Sequence, residues 1–280
     1  MLHYDGFIKA KDGIKLYYQN WVPEDKIKGA VILVHGILEH SGRYMNVVNT
    51  LVPAGYSVWG FDHRGHGKSE GTRVFVKKFD VYLNDLNTLI SFIREREGDI
   101  PLHLLGHSMG SLIAAHYIAK TDNKDNFKSL ILSGTGAATG PDISGFVIFV
   151  SKILSFLTPK LRLPAGTDPN FISHDQEVVE AYVNDPLIEL KVTPRIAVEV
   201  VNAVNKMLNI APKIKIPTLM QIGSEDRAFD PNSWNPLFNA LGTDTKEFKL
   251  YEGFRHEVYN EIKKEEPLKD LLEWINTYNN

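Results

Sequence analysis

The sequence predicts an α/β protein: a mostly parallel central sheet with helices on both faces, interrupted by a helical insertion. Three observations carry this. Short apolar runs alternate with helix-length amphipathic segments, as parallel strands joined by crossover helices do. The run Val31–Val34 is apolar at every position, as expected of a strand covered on both faces. The alternation lapses between 136 and 213 and then resumes.

The elements follow in order. Phe7–Ala10 and Ile14–Trp21 flank Lys11-Asp12-Gly13, and Asp-Gly is a strong hairpin turn. After the strand Val31–Val34, a helix is expected from about Arg43 to Ala54, with Ser41 as its cap. The strand Ser57–Phe61 precedes a helix over Val81–Arg96, whose Leu86, Leu89, Ile90 and Ile93 fall at helical spacing. Leu102–Leu105 reads as a strand, Ser111–Lys120 as a helix and Leu130–Leu132 as a short strand. The insertion is rich in helical patterns and proline and has no convincing strand. Beyond it come the strand Thr218–Ile222, a helix near Pro236–Leu241, the strand Phe248–Tyr251 and a closing helix, Leu268–Tyr278. The expected division is a sheet domain of residues 1–135 and 214–280, with a helical cap at 136–213.

Composition narrows the function classes. The 280 residues are 43% hydrophobic and 23% charged, which excludes disorder, and the net charge of −3 offers no electrostatic footprint for nucleic acid. There is no cysteine, so neither disulfides nor thiol chemistry is available. The N-terminus MLHYDGFIKAKDG lacks a basic stretch followed by an apolar core, so no secretory leader is expected. No apolar run reaches the roughly 20 residues that span a bilayer. A soluble, cytoplasmic protein is the expectation, peripheral at membranes if the cap touches lipid.

The chemistry centres on Gly106-His107-Ser108-Met109-Gly110. This G-x-S-x-G sequence follows the strand PLHLL and precedes the helix SLIAAHYIA, the context of a nucleophile elbow. A sharp turn there lifts the Ser108 hydroxyl clear of the sheet, beside the unpaired N–H groups of a helix N-terminus. Gly106 and Gly110 let strand and helix approach. A serine hydroxyl needs a base, and the base needs a carboxylate to hold its tautomer. In the α/β-hydrolase fold the chain order is Ser, then Asp or Glu, then His. Asp226, past the strand TLMQIG, and His256, past KEFKLY, fit that order at the carboxyl ends of strands. Glu225 and Asp230 compete with Asp226; His174 and His116 compete with His256, although His116 is expected to face out of its helix. The tetrahedral oxyanion calls for two backbone donors, expected from Ile37 and Met109. His63 and His66 in DHRGHG lack the companions of a metal site and read as a glycine-rich turn. No dinucleotide-binding glycine pattern occurs, so no cofactor is expected.

The segments HGILEHSGRY, FDHRGHGKSEG, GHSMGS, EAYVNDPLI and FRHE together resemble the monoacylglycerol lipase and lysophospholipase family. The resemblance covers most of the chain, including part of the cap. It implies a serine esterase that releases a fatty acid from a single-chain lipid, with Ser108, Asp226 and His256 as triad and Ile37 and Met109 as oxyanion donors. It further implies that Glu39, Arg43, His107 and Tyr182 shape the alcohol end of the pocket. Their plainer readings are a surface ion pair for the first two and packing for the others. The chain departs from the family in the bulk of Ile37 and Leu38, which crowds the oxyanion loop. A carboxylesterase, thioesterase or peptidase on the same fold would share the triad.

One segment stands apart. Ile143–Leu157 is apolar on nearly every face, and such a helix is either buried or an exposed patch with a purpose. The expectation is that it lines an acyl tunnel and touches membrane or micelle surfaces transiently; ordinary packing between cap and sheet is the plainer alternative.

Overall fold

A computed structural model describes residues 1–121, 126–141, 143–166 and 168–279. Eight strands form one sheet. They are β1 (Leu2–Lys9), β2 (Lys15–Val22), β3 (Gly29–Val34), β4 (Tyr56–Phe61), β5 (Leu102–His107), β6 (Phe127–Ser133), β7 (Thr218–Gly223) and β8 (Lys246–Tyr251). Their order is β1-β2-β4-β3-β5-β6-β7-β8. β1 and β2 form the antiparallel hairpin that Asp12-Gly13 predicts, and β2 also runs antiparallel to β4. Every pairing from β4 through β8 is parallel. This is the α/β-hydrolase architecture.

The middle strands are apolar on both faces because both faces are covered. Val31, Leu33, Val58, Leu105 and Ile131 point to one side, where α1 (Met45–Leu51) and α9 (Glu265–Tyr278) pack with Val47, Leu51, Leu271 and Trp274. Ile32, Val34, Leu104, Leu130 and Leu132 point to the other. There α2 (Asp80–Glu97) and α3 (Met109–Lys120) bring Leu86, Leu89, Ile93 and Leu112. Burying one such aliphatic side chain contributes roughly 1.5–3 kcal/mol, so the two clusters dominate the stability of the sheet.

Between β6 and β7 the chain leaves the sheet. It forms α4 (Gly145–Leu157), α5 (Gln176–Asn184), α6 (Pro194–Val204) and the single turn α7 (Met207–Ile210). Leu163–Pro164 and Lys191–Val192 add a two-residue antiparallel pairing that the sequence does not reveal. The segment sits on the loops that follow β3 and β4. Glu189 N–H donates to the Leu38 carbonyl (3.0 Å), the Thr193 hydroxyl to the Val74 carbonyl (2.6 Å), and His40 Nε2 lies 2.8 Å from Asp185.

Several local expectations need correction. The helix expected from Arg43 to Ala54 begins later: Ser41–Arg43 is a 3-10 turn, and α1 starts at Met45. His40 caps the 3-10 turn, its ring accepting from Gly42 N–H, while α1 has no side-chain cap; the Ser41 hydroxyl donates instead to buried Asp62 (2.7 Å). The helix expected near Pro236–Leu241 is present as α8 (Trp234–Ala240). His116 does not face outward. It is buried, with Nε2 3.0 Å from the Ala203 carbonyl, and ties α3 to α6. α4 is the apolar helix expected over Ile143–Leu157, capped by the Ser144 hydroxyl, yet Ser155 is its only buried residue. Phe146 and Phe156 are 75% and 83% exposed. No helix among the described residues is long and apolar enough to cross a membrane.

Candidate active site

Ser108 stands between β5 and α3 with φ 52 and ψ −123, a conformation L-residues seldom adopt outside strained functional turns. The surroundings enforce it. A Cβ on Gly106 would lie 2.3 Å from the Gly110 carbonyl oxygen, and a Cβ on Gly110 would lie 1.9 Å from that of Val34. Strand and helix therefore touch through backbone alone. The elbow is pinned by Ser108 N–H donating to the Ser133 carbonyl (3.0 Å) and by the Ser111 hydroxyl donating to the Ser108 carbonyl (2.6 Å).

Asp226 and His256 meet beside it. His256 Nδ1 lies 2.9 Å from Asp226 Oδ2, although the two residues are 30 apart in sequence on loops after β7 and β8. Asp226 is buried, and its other oxygen accepts from Ala228 N–H (2.8 Å). With Nδ1 engaged, Nε2 is left without a hydrogen bond among the described residues, and the His107 and His256 ring centroids are 4.7 Å apart. Among the described residues no hydrogen bond joins the Ser108 hydroxyl to His256. Such contacts are commonly long in a free enzyme and tighten around substrate. Burial of the His256 ring disfavours its charge. The Asp226 charge and hydrogen bond outweigh that, with Glu257 and Glu39 adding to them, so its pKa rises above 6.5.

The competing residues are occupied elsewhere. Glu225 is more than half exposed and pairs with His174 (3.3 Å), which also binds Glu261 (3.0 Å). Asp230 caps the turn Pro231–Ser233 through Asn232 N–H. The Ile37 N–H has no hydrogen bond among the described residues, and Met109 N–H, first in α3, has no partner within its helix. Ile37 belongs to a loop whose next residue, Leu38, has φ 68.

Glu39 and Arg43 are not a surface pair. Glu39 is buried and the Arg43 side chain only one-tenth exposed. Arg43 donates to Glu39 Oε2 (2.9 Å) and grips Glu257 with both terminal nitrogens, at 2.6 and 2.8 Å. Its guanidinium lies 4.7 Å from the Tyr182 ring centroid, a cation–π contact. Glu39 Oε1 accepts from Gly36 N–H (2.6 Å) and from the Tyr44 hydroxyl (2.8 Å), which ties this cluster to the oxyanion loop. Burial, though opposing its charge, yields to Arg43 at Glu257, whose carboxyl is held down to about 2; at Glu39 burial prevails and the pKa is raised. His107 is buried, 3.3 Å from the Ser133 hydroxyl, and burial together with the neighbouring His256 pushes it down to about 3, so it is neutral. The sequence reading missed Glu257, Tyr44 and Asn260, which donates to Glu257 (2.8 Å). The available signal was position alone: Glu257 follows His256 directly, and Tyr44 follows Arg43.

His63 and His66 belong to the loop after β4 and lie buried beside His35. Rings 35 and 63 are 4.0 Å apart, and burial lowers the pKa of His63 to about 3 and of His66 to about 4. They are packing elements. No group of three or more His, Cys, Asp or Glu among the described residues is arranged to hold a metal.

Comparison with known proteins identifies the family. The profile of the Hydrolase_4 family, described as serine aminopeptidase, S33, matches residues 25–263. A monoacylglycerol lipase of Mycolicibacterium smegmatis is 31% identical over 264 residues, covering 94% of this chain and 93% of the relative. A monoglyceride lipase of Homo sapiens is 31% identical over 255 residues, covering 90% and 82%. The crystal structure of a Paleococcus ferrophilus monoacylglycerol lipase superposes with a TM-score of 0.83 at 28% identity, over 99% of this chain and 100% of that one. An elbow serine, a buried Asp–His pair in the expected chain order and these relatives lead to one conclusion: the chain belongs to the Hydrolase_4 family of α/β-hydrolases.

Proposed function

We propose that this protein is a serine esterase that hydrolyses monoacylglycerol through an acyl-enzyme on Ser108. The observation that carries the reading is the buried Asp226–His256 hydrogen bond, 2.9 Å long, placed beside a serine held at φ 52. His256 Nε2 takes the Ser108 proton as the hydroxyl oxygen attacks the ester carbonyl. Asp226 holds the tautomer and stabilises the imidazolium that forms. The Ile37 and Met109 N–H groups receive the oxyanion, where one donor is worth roughly 3 kcal/mol. Collapse of the tetrahedral adduct breaks the ester C–O bond, and His256 passes its proton to the departing glycerol oxygen. Water, deprotonated by the same ring, then cleaves the acyl-enzyme and releases fatty acid and free serine.

Residues 136–213 act as the cap. They seat Tyr182 against Arg43 and Glu189 against the Leu38 carbonyl, so the roof of the pocket is bonded to the oxyanion loop. The exposed apolar face of α4, with Phe146, Phe149 and Phe156, touches the membrane or micelle that presents the lipid, a contact supported by the exposure of these three side chains on one helix.

The test is Ser108→Ala. Monoacylglycerol hydrolysis should fall on the order of 10⁴-fold or more while the thermal unfolding curve stays in place. A fluorophosphonate should label the wild type and not the variant. Activity that survives the substitution would reject the assignment, and faster turnover of aminopeptidase substrates than of monoacylglycerol would reject the lipid reading.

A further inference from the structure

The loops that carry Asp226 and His256 are both held by one short segment of the insertion between β6 and β7. Four residues flank those two in the chain, and each touches the segment at residues 170–174. Glu225, before Asp226, lies 3.3 Å from His174 Nε2, and the Arg227 guanidinium, after it, lies 4.5 Å from the Phe171 ring centroid. Arg255, before His256, donates from Nη1 to the Asn170 and Ser173 carbonyls (2.6 and 2.9 Å). Glu257, after it, donates its N–H to the Ile172 carbonyl (2.8 Å), and the His256 N–H itself reaches the Phe171 carbonyl at 3.4 Å.

Glu261 closes this arrangement from beneath. It is buried, and its carboxylate joins the two sides. Oε1 accepts from Arg255 N–H (2.8 Å) and lies 3.0 Å from His174 Nδ1. Oε2 accepts from His174 N–H (3.2 Å) and Ile262 N–H (3.3 Å). The N–H groups of 255, 256 and 257 are therefore all engaged, the first by Glu261 and the next two by the segment that Glu261 holds. The Asp226 hydrogen bond sets the tautomer of His256, but where the ring stands depends on this backbone.

We infer that Glu261 is a positioning residue: by fastening the segment Phe171–His174 to the loop of His256, it sets the place from which the ring takes the serine proton. The inference rests on the esterase reading above. Glu261 bonds to no side chain of the triad, so it acts through the Arg255 backbone and through His174. Proton transfer needs the two heavy atoms within hydrogen-bond reach, and a misplacement of about 1 Å can cost on the order of 100-fold in rate. Binding of the intact ester does not use that geometry, so the effect belongs in kcat.

The experiment compares the wild type with Glu261→Ala and Glu261→Gln on monoacylglycerol, with rates expressed per active site labelled by a fluorophosphonate at completion. Glu261→Ala removes the acceptor of both backbone donors. Its kcat per site should fall about tenfold or more while KM stays within about twofold, and the rate of labelling should fall in parallel, because phosphonylation uses the same base. In Glu261→Gln, whichever way the amide is turned, its NH2 group faces one of the donors Arg255 N–H and His174 N–H. Its kcat should lie between those of Glu261→Ala and the wild type. A role in stability alone would lower the number of labelled sites and leave kcat per site unchanged. That result, or a loss confined to KM, would overturn the inference. If Glu261→Ala does not fold, Glu261→Gln decides alone: a lowered kcat per site at unchanged KM supports the inference and a wild-type kcat per site rejects it. Failure of the esterase reading looks different, since the wild type itself would neither hydrolyse monoacylglycerol nor take the label.

Discussion

Two helices of nearly equal length and similarly apolar sequence meet opposite fates in this molecule. α3, MGSLIAAHYIAK, has ten of its twelve residues buried, from Met109 through Ile118. α4, GFVIFVSKILSFL, lies along α6 and leaves its phenylalanines in solvent, with Ser155 alone buried. α3 is wedged between the sheet and α2, α6 and α7, so its apolar surface was removed from water on folding. Among the described residues α4 packs chiefly on α6. The lesson is that apolar composition states a demand for burial and does not say what meets it. In α3 the fold meets it, and in α4 a lipid surface does so under the function proposed above.

The contrast can be broken at its glycines. Gly110→Ala drives a methyl group to 1.9 Å from the Val34 carbonyl oxygen, against backbone that cannot yield. We expect a loss on the order of 4 kcal/mol or more, or no folded protein, measured by denaturant unfolding. Gly145→Ala at the start of α4 meets nothing within 4 Å and should be neutral or stabilise by up to about 1 kcal/mol. Equal effects at the two positions would show that the elbow is looser than described.

Side chains extend the contrast. Leu112→Ala in α3 should cost about 2–5 kcal/mol, because the void sits among buried neighbours. Phe156→Ser in α4 should change stability by less than about 0.5 kcal/mol while weakening adsorption to phosphatidylcholine vesicles. A large loss of stability from Phe156→Ser, or unchanged vesicle adsorption, would remove α4 from the lipid-facing role.

The smallest effect separates chemistry from docking by pH. Imidazolium cannot accept the serine proton, so turnover must rise as His256 loses its charge. Its folded-state pKa is raised above 6.5, burial being outweighed chiefly by Asp226, so the rise is centred above 6.5 and kcat/KM falls about tenfold per unit on the acid side. α4 carries a single ionisable side chain, Lys152, so vesicle adsorption should stay flat over the same range. A midpoint well below 6.5 would argue against His256 as the base.

Much of this was legible without coordinates because it is local. Continuous apolar runs and period-3.6 patterns mark the strands and helices, Asp12-Gly13 marks the hairpin, and the two glycines of the elbow announce a backbone approach so close that an added Cβ would lie 2.3 or 1.9 Å from a carbonyl oxygen. The order Ser108, Asp226, His256 follows from the fold once the elbow is recognised. The misreadings were also local in origin. Ser41 has the chemistry of a helix cap, but buried Asp62 claims its hydroxyl, and His116 lies against α6, a helix of the insertion some 80 residues further along the chain.

Sequence by itself determined the sheet, the elbow and the chemical kinds available at the site, since each depends on residues close together in the chain. Tertiary structure alone decided that α3 is buried and α4 is not, and that the Glu39–Arg43 pair is enclosed. It alone brought Glu257 to Arg43 across 214 residues. The reason is physical: burial and charge pairing are properties of the space around a side chain, and that space is filled by distant parts of the chain that no local pattern names.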